Sequence, residues 1–202
     1  PICTILNIFR TSVMPSIDLH CHSLYSDGTQ TPQQLVQQAL DADVKVLALT
    51  DHDSVLGLAE AHQAAHQTML KILDGVEVSA IWNKQLVHII GLNIDVNQPD
   101  LVAGLAEQAQ ARAKRGQLIA QKLEDLGIKD TWSAVLALAG GNPNRVGRAH
   151  FAQHLVNIGH VTTQQRAFDK YLGTGKPATV AMPWTDMSTA ISWIVGAGGV
   201  AV

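Results

Sequence analysis

The sequence predicts an α/β fold with a mainly parallel sheet, and three observations support it. Short apolar runs alternate with amphipathic helical stretches through the first half of the chain. Histidines and acids gather at or just after those runs, where parallel α/β folds collect their ligands. After Asn97-Gln98-Pro99 the strand-like runs stop and a helical stretch takes over, with the charge balance reversed.

Ile17 to His22 reads as a strand. Thr31 as N-cap with Pro32 at the first helical position opens a helix whose apolar stripe is Leu35, Val36, Ala39 and Leu40. Lys45 to Thr50 is a short, buried-looking strand, and Ser54 is expected to cap a second helix ending near Gln67. Lys71 to Val78 and Leu86 to Asn93 read as strands around a turn at Asn83-Lys84. Asp100 to Leu126 is one long helix ended by Gly127, followed by helical segments near 133–139, 147–157 and 163–172. Strand character returns at Ala178 to Met182, a helix covers about Thr185 to Val195, and Val200 to Val202 resembles the start of another buried strand. The expected organisation is an N-terminal extension over 1–14, an α/β unit over 15–99, an all-helical insertion over 100–177 and a return to the α/β unit over 178–202. Pro1 to Val13 lacks the basic start and cleavage site of a signal peptide, and reads as an upstream extension.

Two cysteines in 202 residues imply no disulfide framework and favour a reducing cytoplasm. No apolar run nears the ~20 residues that span a bilayer. Residues 1–99 carry four Lys/Arg against ten Asp/Glu, whereas residues 100–177 carry ten against six. An acidic, histidine-bearing half beside a basic one suits metal cations on one side and an anionic ligand on the other, although solvated helix faces would give the same counts.

Side chains alternate along a strand, so His20 and His22 share a face and Cys21 takes the opposite one. Two imidazoles on one face form a metal-ligand pair, and Asp27, on the Ser26-Asp27-Gly28 turn, can reach the same space. Cysteine catalysis is thereby disfavoured. His52 follows an apolar strand in Thr50-Asp51-His52-Asp53. Asp51 and Asp53 there are either helix caps or supports for the ligands, and Asp18 at the first strand is read as a support. Glu77 stands in the apolar strand Gly75-Val76-Glu77-Val78, where an acid is costly unless paired with a cation; its two oxygens could bridge two ions. His88 occupies a similar strand and is read as a ligand beside Glu77 rather than a lone core histidine. These donors exceed one tetrahedral site and imply two or three divalent ions. Mixed nitrogen and oxygen ligation suits Mn, Zn or Fe better than Ca or Mg.

These motifs, Asp18 to Gly28, Thr50 to Asp53, Gly75 to Val78 and His88 to Leu92, resemble those of the PHP (polymerase and histidinol phosphatase) superfamily. The resemblance implies a distorted seven-stranded β/α barrel, incomplete here, with a trinuclear metal site. His20, His22 and Glu77 would hold one ion, Glu77 and His88 a second, and Asp27 with His52 the third. Arg112 to Ala120, Arg148 to Ala152 and Lys170 to Lys176 further resemble the stand-alone branch acting on nucleotides and RNA 5′ ends, typically with manganese. That branch implies phosphoesterase chemistry by metal-activated water, either removing the 3′-phosphate of nucleoside 3′,5′-bisphosphates or degrading short RNA from the 5′ end. Arg115, Arg148, His150 and Lys176 are the cations expected to meet substrate phosphates, unless they are simply solvated helix faces. Aromatics are 4% of residues, which favours a short ligand over an extended strand, and no DNA-binding motif is evident.

The family also carries a His-Pro strand and a terminal Asp-x-His, and the sequence ends about where these should begin. A truncated or fragmentary chain is therefore expected. Two alternatives stay open: a histidinol phosphatase-like enzyme, and a non-catalytic metal-binding module. An amidohydrolase-like deaminase, which also begins with a His-x-His strand, fits the acid series less well.

Overall fold

The computed structural model describes residues 16–202; the Pro1 to Val13 segment, Met14 and Cys3 lie outside the described residues. In chain order the elements are β1 (Ser16–Cys21), α1 (Pro32–Asp41), β2 (Val44–Leu49), α2 (Leu58–Ala65), β3 (Lys71–Trp82) and β4 (Gln85–Leu92). There follow α3 (Pro99–Asp125), α4 (Thr131–Leu138), α5 (Arg148–Asn157), α6 (Gln164–Ala167), β5 (Thr185–Asp186), α7 (Met187–Gly196) and β6 (Val200–Ala201). A 3₁₀ turn covers Pro143–Arg145, and α6 runs on into a π-helical turn over Phe168–Leu172.

The sheet order is β1-β2-β3-β4-β6, with β5 beside β3, and the described strands do not close into a barrel. The β1–β2, β2–β3 and β3–β5 pairings are parallel. The β3–β4 and β4–β6 pairings are antiparallel, so the sheet is mixed rather than mainly parallel. A two-residue turn cannot hold a parallel crossover. Asn83 and Lys84 both take positive φ, 48° and 65°, the conformation that lets a tight turn match the strand twist.

β3 is twelve residues long, but only Lys71 to Asp74 pair with β2. Its far half therefore projects past the end of β2, where Ala80 and Ile81 pair with β5. That overhang carries Glu77 to the carboxyl edge of the parallel strands.

Other boundaries also differ from the sequence reading. The second helix starts at Leu58, because the Ser54 hydroxyl accepts the Leu56 N–H in a local turn and Gly57 is the N-cap. Ala178 to Met182 is not a strand: Ala178 stays tied to the insertion through its N–H on the Tyr171 carbonyl, and pairing begins only at Thr185. Asp186 then caps α7 by accepting the Thr189 N–H at 3.0 Å.

Three apolar clusters fill the interior. One lies between β1, β2, α1 and α2, and a second joins β3 and β4 to α7 and the start of α3 through Leu101 and Leu105. The third belongs to the helical unit and runs from Ile119 to Ala178. Helix α3, with 27 residues and about 40 Å of length, serves both units. It seats closely on α7 at Gly104, where a Cβ would lie 2.5 Å from the Trp193 ring. No helix among the described residues is long and apolar enough to cross a membrane.

Candidate metal centre

The centre is built from β1, β3, β4 and the segment after β2. Alternation on β1 buries Cys21, whose thiol donates to the Ala48 carbonyl, and turns His20 and His22 to the opposite face. Their Nε2 atoms lie 3.0 Å apart, and each is 2.9 Å from Glu77 Oε2. His52 pairs across a parallel bridge with Glu77, which brings His52 Nδ1 to 3.6 Å from the same oxygen. In the hairpin Ser79 opposes His88, so Glu77 and His88 are diagonal neighbours on one face. His88 Nδ1 is 2.7 Å from Glu77 Oε1. Asp27 closes the row, 3.6 Å from His22 Nδ1 and 3.7 Å from His52 Nε2.

The result is a chain of imidazoles, with ring centroids 4.7 to 5.0 Å apart from His20 through His22 and His52 to His88. Three donor sets converge: His20, His22 and Glu77; His22, Asp27 and His52; and His52, Glu77 and His88. Glu77, His22 and His52 each belong to two of them. The grouping expected from the sequence differs only in that it gave His22 and His52 no shared positions.

The electrostatics match. Burial opposes the charge on Glu77, but the surrounding histidines outweigh it and hold the carboxyl far below the usual range. Burial and the nearby Arg112 hold His52 down to about 4, leaving its imidazole neutral and free to coordinate at neutral pH. For Asp27, burial acts upward, and His52, His22 and Arg112 more than offset it. His52 Nδ1 is buried and, among the described residues, has no hydrogen-bond partner. An orphaned imidazole nitrogen among converging imidazoles and carboxylates fits divalent cations, and the residues present suit them.

The supporting acids fall into distinct roles. Asp18 accepts the His20 N–H at 3.1 Å. Asp51 is buried and accepts the Ser23 N–H at 2.7 Å, with the Ser23 and Ser26 hydroxyls each at 2.6 Å, so it shapes the loop that carries Asp27. Burial pushes its carboxyl up, against the pull of those donors. Asp53 sits at φ 51° and accepts the Ser79 N–H at 2.7 Å and the Ser79 hydroxyl at 2.9 Å. Its second oxygen also receives Arg112, whose charge, with the Ser79 bonds, overcomes burial and holds the carboxyl low.

Arg112 is the residue that sequence reasoning missed. The one available signal was the α3 stripe Leu101, Leu105, Gln108, Arg112, Gly116, Ile119, in which two polar residues occupy buried positions. Arg112 packs 5.6 Å from the Trp184 ring, and Arg115 lies 5.5 Å from the same ring. Arg145 on the Tyr25 ring at 4.2 Å, between the insertion and the Asp27 loop, was likewise not foreseen.

Of the cations named from sequence, Arg115, Arg148 and His150 are half-buried and act electrostatically on one another or on Asp27 and Arg112. Burial, then Arg148 and Arg112, push Arg115 downward; burial, then Arg112, do the same to Arg148. Among the described residues neither forms an ion pair with a carboxylate. Lys176 is exposed in the turn after the π segment, and no hydrogen bond or ion pair ties its ammonium to this group among the described residues.

Histidines and carboxylates at the carboxyl edge of a sheet, faced by buried guanidinium groups, define an α/β domain with a site of the metal-binding type. The chain belongs to the PHP domain family, whose model matches residues 18–176. It is 45% identical over 185 residues to a 5′-3′ exoribonuclease of Haemophilus influenzae, covering 92% of this chain and 66% of that protein. It is 43% identical over 189 residues to a 3′,5′-nucleoside bisphosphate phosphatase of Chromobacterium violaceum, covering 94% and 66%. A solved structure of an amidohydrolase from C. violaceum, with bound sulfate and no metal, superposes with a TM-score of 0.88 at 43% identity, covering 92% of this chain and 65% of that one. The chain thus spans about two thirds of the length of the curated relatives it matches.

Proposed function

We propose that this protein is a metal-dependent phosphoesterase acting on nucleotides or short RNA. Its reaction is removal of the 3′-phosphate from a nucleoside 3′,5′-bisphosphate, or stepwise hydrolysis of RNA from the 5′ end. The observation that carries this reading is the Glu77 carboxylate shared by four imidazoles, with two guanidinium groups near Asp27 and Asp53 that form no ion pair with a carboxylate among the described residues. The names of the similar proteins and the sulfate bound in one of them support it.

His20, His22, Asp27, His52, Glu77 and His88 would hold two or three ions, manganese being proposed and zinc, iron or magnesium the alternatives. Bound there, such ions polarise a phosphoryl oxygen and activate a water. The chain supplies the rest. Arg115 and Arg148 offset the charge on a phosphate, and their partial burial strengthens each contact. His150 Nδ1 accepts the Gly147 N–H at 3.1 Å, so the ring proton rests on Nε2, leaving a donor for a phosphate oxygen. The helical unit acts as a cap that sets substrate length, and Lys176 would meet a more distant phosphate. The cytoplasm is the proposed compartment, in keeping with such substrates and with a sequence of only two cysteines.

The test is release of inorganic phosphate from a nucleoside 3′,5′-bisphosphate by Mn²⁺-supplied protein. His20→Ala is expected to reduce turnover by about a hundredfold or more. Equal turnover in that variant would remove the site from the reaction.

A further inference from the structure

The metal ligands come from the sheet, yet one of the contacts that holds them apart comes from the helical unit. The Asp53 N–H donates to the Glu77 carbonyl at 2.9 Å and the Glu77 N–H to the Asp51 carbonyl at 3.1 Å, so His52 is laced to Glu77 by main chain on both sides. Asp53, next in line, turns into the left-handed region and uses both oxygens on Ser79. That carboxylate is buried and needs a cation. Arg112 provides it from α3, with the same nitrogen also 3.1 Å from the Ser79 hydroxyl. One turn earlier Gln108 donates to the Ser79 carbonyl and accepts the Thr185 N–H at 3.4 Å. Two residues of α3 thus grip the point on β3 that lies two residues past Glu77.

We infer that Arg112 is a positioning residue of the metal centre: by clamping Asp53 onto Ser79 it fixes the separation of His52 and Glu77, which makes α3 a structural half of the metal site. Arg112 is poorly suited to substrate binding in the manner of Arg115 and Arg148, since Asp53 already neutralises it and it is only 6% exposed. Asp53 is equally unsuited to coordination, because both of its oxygens are committed. The inference rests on the metal reading above but concerns ligand geometry, not turnover.

The experiment is titration of the metal-stripped protein with Mn²⁺, with the free-ion EPR signal giving affinity and stoichiometry, and circular dichroism reporting the fold. Arg112→Met is expected to bind at least one ion tenfold or more weakly, whereas Lys114→Met, an exposed cation on the same helix, leaves binding unchanged. If Arg112 acts through Asp53, the double variant with Asp53→Ala binds no more than about threefold worse than the weaker single variant. A folded Arg112→Met protein with wild-type affinity and stoichiometry overturns the inference. Should that variant not fold, Ser79→Ala decides, since it keeps the ion pair and removes one shared hydroxyl. A three- to tenfold weakening supports the clamp and wild-type binding refutes it. If the unmodified protein itself takes up no Mn²⁺, the metal reading fails first, and the inference with it.

Discussion

Gly28→Ala tests the ligand geometry most directly. A Cβ at Gly28 would lie 2.1 Å from the His22 carbonyl oxygen, 2.5 Å from the His22 carbonyl carbon and 2.9 Å from that of Ser23. A Cβ does not approach another heavy atom closer than 3.0 Å, so the oxygen must retreat by about 0.9 Å. All three atoms are main chain, and no rotamer change relieves the clash. Nor can the loop slide freely: Asp51 pins Ser23 and Ser26, and the Leu24 N–H is held on the Gln30 carbonyl at 2.8 Å. The displacement must pass into His22 or Asp27, both donors of the middle metal set. Ligand distances tolerate only about ±0.2 Å. Overpacking in such a setting costs roughly 1–3 kcal/mol, which, carried into metal binding, is about a 5- to 140-fold loss of affinity at ~1.4 kcal/mol per decade. Calorimetric titration with Mn²⁺ measures it, with Gly196→Ala as the control, because a Cβ there meets only Gln98 Nε2 at 3.8 Å. Wild-type affinity and an unchanged melting temperature in Gly28→Ala would refute this account of the loop.

Two further predictions concern buried polar groups. Asp51→Asn faces an amide nitrogen toward donors that now meet a carboxylate oxygen, which should cost about 1–3 kcal/mol and lower the melting temperature by roughly 2–4 °C per kcal/mol in scanning calorimetry; an unchanged transition would mean the three serine contacts are expendable. His154 is 6% exposed on α5, its Nε2 has no hydrogen-bond partner among the described residues, and burial holds its pKa below 6.5. Between 6.5 and that lowered value the unfolded chain binds the extra proton, so this contribution to stability is complete above about pH 6.5 and is lost as pH falls. His154→Leu should therefore melt higher than wild type, with the gap wider at pH 5.5 than at pH 8; an equal gap at both would show that His154 does not titrate on unfolding.

Most of the converging donor set was legible because each donor sits in a local signal. His20 and His22 are fixed by strand alternation, Glu77 and His88 stand out as polar residues in apolar runs, and Asp27 and His52 follow strands within a few residues. The elements were legible for the same reason, since Thr31 with Pro32, the Asn83-Lys84 turn and the long stripe of α3 are short-range patterns. What escaped were features set by contact between distant segments. Pairing of β5 with β3 depends on how far β3 overhangs β2, and no window of sequence around Ala178 to Asp186 contains that length. The displaced start of α2 combines a local and a distant cause: the Ser54 hydroxyl turns back onto the Leu56 N–H, and Asp53, the other candidate cap, spends its carboxylate on Ser79, 26 residues away.

Arg112 shows why the remainder could not be read along the chain. In α3 it looks like any of four cations in the stretch from Arg112 to Lys122, and the cation expected there to meet a substrate phosphate was Arg115. Its partner lies 59 residues earlier, and only burial of both groups separates it from a surface arginine. Removing one member of such a pair leaves an uncompensated charge, a loss of about 3–5 kcal/mol, far more than an exposed ion pair contributes. The sheet therefore supplies donors of the right kind, but their spacing depends on an arginine from α3. Loosening α3 and stripping the ions should act on one equilibrium: bound Mn²⁺ should slow amide exchange at Gln108 and Arg112 as well as along β3, and protection confined to β3 would mean that the two units meet without being coupled.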